Sequence, residues 1–177
     1  MSLTENEEKE LASLIEKAES IEIRGEIWHQ LVKKFITTPI ELCILDDEGK
    51  VFMVYRKDRE FDGYHIPGSV VNDWETVEGA CNRLVQSEII TDAGIEITEP
   101  KPIGWIDSPR DVWPDEVSTR HGISLLYIAY FHGEFLPKEG MSFFTFDSIP
   151  DNTLGGHKFL LPFFKRYLED GKPILGV

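Results

Sequence analysis

The sequence predicts a mixed α/β or α+β fold, in which a β-sheet is packed by helices. Strand-like apolar runs outnumber helical stretches along the chain, and one long helical stretch, from about Glu75 to Ala93, separates them. The chain has 177 residues, of which 41% are hydrophobic, so it is long enough and apolar enough to bury the core of one domain. A chain of this length has no room for a second catalytic domain.

The first 36 residues are predicted to be a helical extension, and residues 37–177 the main domain. Thr4 and Glu7 have the spacing of a capping box, and apolar residues recur at helical intervals as far as Glu19. A second apolar helical face runs from Ile27 to Phe35 and ends before Pro39. This extension either covers core surface of the main domain or serves as a partner-binding arm, for example in a homodimer.

From Pro39 onward the pattern becomes that of strands. Two strand-like runs flank a turn of Asp and Gly residues, which predicts a hairpin. A short extended segment precedes the long helix, which Gly94 is placed to stop. The predicted strands and closing helix are Ile40–Leu45, Val51–Tyr55, Tyr64–Val71, Ile103–Ile106, Ile123–Phe131, Phe143–Phe146 and, as the helix, Lys158–Glu169.

Charge and cysteine content exclude several classes of protein. Lys and Arg number 18 against 32 Asp and Glu, so the net charge of −14 argues against nucleic acid as the main partner. Cys43 and Cys81 lie far apart in apolar surroundings, which indicates reduced, buried thiols. No apolar run is long enough to cross a bilayer, and Met1–Glu10 does not resemble a signal peptide. A cytoplasmic protein without a membrane partner is expected.

The most informative stretch begins at Tyr64 and continues into the long helix. It resembles the Nudix hydrolase superfamily, whose box places Gly, five residues, Glu, seven residues and then Arg-Glu, after a lead-in of an aromatic residue and Pro-Gly-Gly. The residues that match the lead-in and the first half of the box are Tyr64, Pro67, Gly68, Glu75, Ala80 and Arg83. The resemblance implies an α/β/α sandwich with a mixed sheet between helices.

The second half of the box departs from the family pattern. Counted from Arg83, Leu84 stands where the family has Glu, and the Glu-Glu pair becomes Ser87-Glu88. If the box is instead aligned backwards from Gly94, its second half falls four residues later in the sequence, a shift of about one helical turn. Both registers keep Glu88 at an acidic ligand position, and an extra turn in the helix is the simplest account of the difference.

The resemblance implies metal-dependent cleavage of a pyrophosphate bond, because divalent cations neutralise phosphate oxygens and activate water. Glu88 and Asp92, one helical turn apart, are the predicted ligands of Mg²⁺ or Mn²⁺, with Glu88 also counted as catalytic. The family's box Arg pairs with box carboxylates, so Glu75 and Arg83 are expected to support the site. The alternative for Glu88 and Asp92 is a pair of solvated acids.

Substrate contacts are predicted in two other segments. The long polar loop from Asp107 to Arg120 offers a general base, a stacking ring and phosphate-binding cations. Gly68 is expected to allow close approach of the backbone to metal or phosphates, or to be a plain turn glycine. The candidates are Glu116 or Asp115 as base, and Trp113, Arg110, Arg120 and Arg56 as substrate contacts. A solvated surface is the alternative for each of them.

The sequence thus predicts a divergent Nudix-type hydrolase of a nucleoside diphosphate linked to another group, a small-molecule substrate. The alternative is a Nudix-fold module that binds a nucleotide or related phosphate compound without cleaving it, since two acidic positions are missing. Other chemistries are not indicated: the chain has no P-loop, no Gly-x-Gly-x-x-Gly after a strand, no paired zinc-type histidines and no Gly-x-Ser-x-Gly elbow.

Overall fold

A computed structural model of the chain describes residues 4–17, 35–58, 61–72, 75–88, 96–108, 121–135 and 139–176. The predicted second helix, Ile27–Phe35, and the predicted extra turn of the box helix after Glu88 lie almost wholly outside these ranges. Two compact units are distinguished, residues 1–31 and 32–177. The first contains helix α1, Glu5–Lys17.

Helix α1 begins with the capping box that the sequence predicted. The backbone N–H of Thr4 donates to Glu7 Oε2 at 2.7 Å, and the N–H of Glu7 donates to Thr4 Oγ1 at 3.4 Å. Each residue thereby satisfies a backbone donor of the other at the helix start. Lys9 and Glu5 form an exposed ion pair one turn apart.

The second unit is a mixed β-sheet with helices on both faces. The elements are β1 Pro39–Leu45, β2 Val51–Lys57, β3 Asp62–His65, β4 Gly68–Val70, α2 Val77–Glu88, β5 Glu96–Ile97, β6 Lys101–Ser108, β7 Gly122–His132, β8 Met141–Phe144, α3 Gly155–Asp170 and β9 Ile174–Leu175. The central strands β1 and β7 are parallel neighbours, and most other pairs are antiparallel. The main path across the sheet is β3-β2-β1-β7-β6-β9, while β4 pairs with β1, β5 with β7 and β8 with β2.

The hairpin of β1 and β2 closes as its turn residues predict. Asp46 Oδ1 accepts from the N–H groups of Glu48 and Lys50, and Gly49 adopts a φ of 75°, which glycine reaches without steric cost. The strands are hydrogen-bonded at the turn, Leu45 opposite Val51. The first residues of β1 pair instead with β4. This pairing places the chain segment that begins at Gly68 beside the central strand.

The sheet has a hydrophobic core on each of its faces, and β1 contributes to both because its side chains alternate between the faces. Ile40, Leu42 and Ile44 pack with Ala80, Cys81 and Leu84 of α2. Cys43 and Leu45, on the other face, pack with Leu160, Leu161 and Phe164 of α3. This is the helix–sheet–helix sandwich that the sequence predicted, and it places Glu41 on the α3 face.

The cysteines lie in these two cores, one on each side of the sheet. Both are buried and reduced, as expected. Burial raises the pKa of the Cys43 thiol, and burial together with the carboxylates of Glu75 and Glu78 raises the pKa of Cys81 to about 11. Both thiols are therefore neutral at physiological pH and act as small apolar groups.

Candidate active site

The motif segment from Gly68 to Glu75 is fastened to helix α2 by Arg83. Its guanidinium donates to both carboxylate oxygens of Glu75 at 2.8 Å, to Ser69 Oγ at 3.0 Å and to the carbonyl of Val70 at 3.2 Å. One side chain thus joins β4, the connecting segment and the helix. Bidentate pairing of this kind gives geometric specificity that a single contact does not.

The Glu75 carboxylate is tied from a second side by the chain itself. The N–H of Asn72 donates to Glu75 Oε2 at 3.3 Å. The hydrogen bonds from Arg83, and to a smaller extent the one from Asn72, lower the pKa of Glu75, while the Glu75 carboxylate raises the pKa of Arg83. Both groups are therefore charged at neutral pH, and neither is available as a proton donor or acceptor.

Helix α2 starts immediately after this clamp. Thr76 caps it, since Thr76 Oγ1 accepts from the N–H of Gly79 at 3.0 Å and its carbonyl accepts from the N–H of Ala80 at 2.9 Å. The Arg83–Glu75 pair supports the register of the box that is counted from Arg83. In that register Ser69, in place of the family's second Gly, provides the hydroxyl that accepts from Arg83.

The same register places Leu84 in the apolar core. Leu84 is 2% exposed and packs with Ala80 and Cys81 against the sheet, at the position where the box has a carboxylate. The exposed Ser87 donates its hydroxyl to the carbonyl of Leu84 at 3.3 Å. These two positions of the helix therefore offer no carboxylate oxygen for a cation.

Several predicted site residues lie outside the described part of the chain. Helix α2 is described as far as Glu88, whose side chain is not described. The others outside the described ranges are Asp92, Arg110, Trp113, Asp115, Glu116 and Arg120. Within the described ranges, no three His, Cys, Asp or Glu side chains come together as a site for a metal ion.

Arg56, a predicted phosphate contact, lies near the end of β2. Its Nε is 2.5 Å from Asp58 Oδ2, and its guanidinium lies 4.3 Å from the centre of the Phe61 ring. The guanidinium is half-exposed, so it remains accessible to a ligand. Its nearest neighbours, however, belong to the β2–β3 connection.

Gly68 is a strand residue whose glycine identity has a steric cause. Its φ is not among the positive values found in the described glycines, so the conformation alone does not require glycine. A Cβ at this position would lie 2.7 Å from Glu41 Oε2 and 3.3 Å from the carbonyl oxygen of Ile40. At Gly68 the backbone therefore passes close to the carboxylate of Glu41, so this residue is more than a turn glycine.

Glu41 belongs to a group of titratable side chains that lies outside the sequence motif and was not predicted from the sequence. The group consists of Glu41 on β1, His65 on β3 and His157 in the first turn of α3. Glu41 and His65 are 5% and 8% exposed. His157 Nδ1 lies 3.8 Å from Glu41 Oε2, and the rings of His65 and His157 are 5.6 Å apart between centres. The available signal was a single charged residue within the apolar run of β1.

An open groove of about 520 Å³ lies at the outer end of β2 and β3. The Tyr55 and Tyr64 rings meet edge to face there, 5.2 Å between centres. The Tyr55 hydroxyl donates to Asp62, which also pairs with Lys57 at 3.2 Å. These contacts lower the pKa of Asp62 and raise those of Tyr55 and Lys57. The residues lining the groove are Tyr55, Lys57, Tyr64, Glu139, Gly140 and Asn152.

Comparison with solved structures shows the same fold in several hydrolases. One is a diadenosine tetraphosphate hydrolase candidate from Jonesia denitrificans, with a TM-score of 0.57 and 16% identity over 78% of this chain and 97% of that one. Another is a UDP-X diphosphatase, with a TM-score of 0.56 and 12% identity over 96% of this chain and 84% of that one. A third is an ADP-ribose pyrophosphatase from Streptococcus suis, with a TM-score of 0.52 and 15% identity over 80% and 98%.

No curated protein matches the chain. Among the described residues, no helix is both long and apolar enough to span a membrane. The family model of the NUDIX domain matches residues 39–167, which include every strand of the sheet except β9, the Arg83–Glu75 clamp and most of α3. The match covers well over half of the sequence, and the chain belongs to the Nudix family.

Proposed function

We propose that this chain is a Nudix-type pyrophosphohydrolase that acts on a nucleoside diphosphate linked to another group. The observation that carries the proposal is the Arg83–Glu75 clamp, which keeps the motif segment seated on the box helix. A fold whose relatives include a UDP-X diphosphatase and an ADP-ribose pyrophosphatase supports a small-molecule substrate of this class. The net charge of −14 argues against nucleic acid as a substrate.

A divalent cation, Mg²⁺ or Mn²⁺, is the proposed cofactor. Leu84 and Ser87 provide no carboxylate, so the described residues do not form a cation site by themselves. The proposal therefore depends on Glu88 and Asp92, whose carboxylate oxygens are the ligand type that hard cations prefer. A bound cation would supply charge neutralisation at the phosphate oxygens.

The remaining sequence-predicted roles are also part of the proposal. Glu88 and Glu116 are the proposed catalytic residues, with Glu116 as general base. Arg110, Arg120 and Arg56 would hold phosphate oxygens, Trp113 would stack on a base, and Gly68 would lie against the substrate. Glu75 and Arg83 would support the site without touching the substrate.

Replacing Glu88 tests this assignment. Glu88→Gln removes one negative charge and keeps the shape, so we expect kcat to fall by at least about 100-fold while the circular dichroism spectrum stays unchanged. Glu78→Gln, an exposed acid in the first turn of the same helix, is the matched control and should retain activity. Full activity in Glu88→Gln would contradict the proposed role of Glu88.

A second candidate function is binding without cleavage, and the buried Leu84 favours it. A box that presents an apolar side chain where the family has a metal ligand is expected to hold a cation less tightly. Titration calorimetry with a nucleoside diphosphate derivative separates the two functions. Binding in the presence of a chelator, without product, supports a binding module, whereas metal-dependent product formation supports the hydrolase.

Three broader expectations stay proposals. The chain is proposed to divide at residue 36 into an N-terminal helical extension and the Nudix domain, and to reside in the cytoplasm. Dimerisation through the N-terminal segment is the third. Light scattering before and after removal of Met1–Phe35 tests it, and an unchanged oligomeric state would remove its basis.

A further inference from the structure

The group formed by Glu41, His65 and His157 places three titratable side chains in a largely buried position. On the α3 face of β1, the neighbours of Glu41 are Cys43 and Leu45, both fully or almost fully buried in an apolar core. Burying a carboxylate in such a place costs several kcal/mol unless compensated, and well-packed apolar residues are often as stable as a buried ion pair. Buried titratable groups of this kind concentrate at functional sites.

The group lies directly beside the motif segment. Glu41 is the register partner of Gly68 across β1 and β4. The position of a Cβ on Gly68 would be 2.7 Å from Glu41 Oε2, so the carboxylate occupies the space that any larger residue at 68 would need. The carboxylate therefore reaches the segment that leads into the box.

Two side chains lie beside the imidazole of His157. Glu41 Oε2 lies 3.8 Å from its Nδ1, and the ring of His65 packs against it at 5.6 Å. His65 is itself fixed, because its Nδ1–H donates to the carbonyl of Ile66 at 2.8 Å. A carboxylate beside one ring nitrogen orients the imidazole and leaves proton transfer to the other nitrogen.

The two other described His–acid pairs are different. His132 Nδ1 pairs with Asp47 at 2.7 Å and His121 Nε2 with Asp107 at 2.7 Å, but these side chains are between about one third and three quarters exposed. Only 16% of the His157 side chain and 7% of the Glu41 side chain are exposed. Low exposure strengthens the electrostatic interaction between the partners.

We propose that Glu41 and His157 form a carboxylate–imidazole dyad in which His157 is the general base of the reaction and Glu41 its positioning residue. This inference rests on the proposed hydrolase function and assigns the base to His157 in place of Glu116. The water oxygen forms a bond to phosphorus while its proton passes to Nε2 of His157. The bond from phosphorus to the bridging oxygen breaks, and its electron pair leaves with the departing phosphate.

The pH dependence of kcat/KM tests the dyad, because the base acts only when its imidazole is neutral. Glu41 and His65 are titratable groups beside His157, while the neighbouring Lys158 reaches the carbonyl of Asp151. We expect wild-type kcat/KM to rise with pH through the titration of His157. The midpoint should match that of the His157 ring observed by NMR.

Three variants separate the contributions. His157→Gln should lower kcat/KM by about 100-fold and abolish the acidic limb of the profile. Glu41→Gln should move that limb, and the NMR midpoint of His157, to lower pH, because the imidazolium loses its carboxylate. His132→Gln, which removes an exposed His from a similar pair, is the control and should leave the profile unchanged.

The outcomes distinguish this inference from the proposed function. An active wild type whose acidic limb persists in His157→Gln, or disappears only in Glu116→Gln, overturns the dyad and leaves the hydrolase intact. A folded wild type without turnover overturns the hydrolase and the dyad with it. If Glu41→Gln does not fold, His157→Gln and the NMR titration of the wild type decide the question.

Discussion

At the scale of single residues, the identities of residues in the motif segment are explained by the side chains that contact them. Gly68 lies against Glu41, and Ser69 and Glu75 lie against Arg83. These contacts explain three residues of the motif segment by the space and charge around them. They also lead to two predictions about stability.

Gly68→Ala is expected to destabilise the protein by about 1–3 kcal/mol, because the added methyl group meets Glu41 Oε2. The same change in a Glu41→Ala background should cost clearly less, since the carboxylate is gone. Urea unfolding of the four proteins in this double-mutant cycle measures the difference. Gly122→Ala is the control, because a Cβ there meets nothing closer than 3.4 Å. An equal cost of Gly68→Ala in both backgrounds would show that the carboxylate is not the obstacle.

Arg83→Gln is expected to lower the free energy of unfolding by about 1–3 kcal/mol at pH 7, since it removes a partly buried bidentate pair. The folded-state pKa of Glu75 is lowered, so the pair stabilises the protein above the unfolded pKa of about 4.3 and this contribution is lost as pH falls through the folded value. The difference between wild type and variant should therefore shrink below about pH 4.

Arg56→Gln provides the comparison for this experiment. Its pair with Asp58 is at the surface, and exposed pairs contribute about 0–1 kcal/mol. A cost of Arg83→Gln no larger than that of Arg56→Gln would mean that the clamp does not secure the motif segment.

At the scale of elements, the regular pattern of the sequence was sufficient for the longer strands and helices. Strand-like apolar runs located β1, β2 and β7, and the closing helical stretch located α3, with differences of a few residues at the ends. The two-residue strands β5 and β9 were not predicted, because two residues carry no period. Their pairing depends on β7 and β6, which are distant in sequence.

The candidate site was harder to predict from the sequence than the fold was. The resemblance to the Nudix box implied that Arg83 pairs with a box carboxylate, and in the structure that carboxylate is Glu75. Spacing did not predict the group of Glu41, His65 and His157, since it joins β1, β3 and α3 only after the sheet is assembled. The charged residue within an apolar strand was the one local signal.

The packing of helix α2 also limits which residues of the family's box can be restored by mutation. Leu84→Glu returns the family's residue to the box, but it places a carboxylate in a position that is 2% exposed in an apolar core. We expect this variant to lose at least about 3 kcal/mol of stability and to gain no activity. Thermal unfolding and turnover measure both effects, and Leu84→Ala, with an expected cost of about 2–5 kcal/mol, is the control for lost packing. A stable Leu84→Glu with faster turnover would show that this side chain reaches the site.

At the scale of the whole molecule, the charge and the fold act together on the choice of substrate. The chain carries −14 at neutral pH, which repels a polyanion over long range. Under the proposed function, a small phosphorylated substrate would be affected less, because a bound cation would change the local field. The proposed place for such a substrate is where β1, β4 and the start of α2 meet.

The measurement that tests the central claim most directly is product release from a panel of nucleoside diphosphate derivatives, with Mg²⁺, with Mn²⁺ and with a chelator. The proposed function predicts release of phosphate or nucleotide that depends on the cation and stops in the chelator. Folded protein that binds members of the panel and releases nothing with either cation would contradict a hydrolase and would favour the binding module.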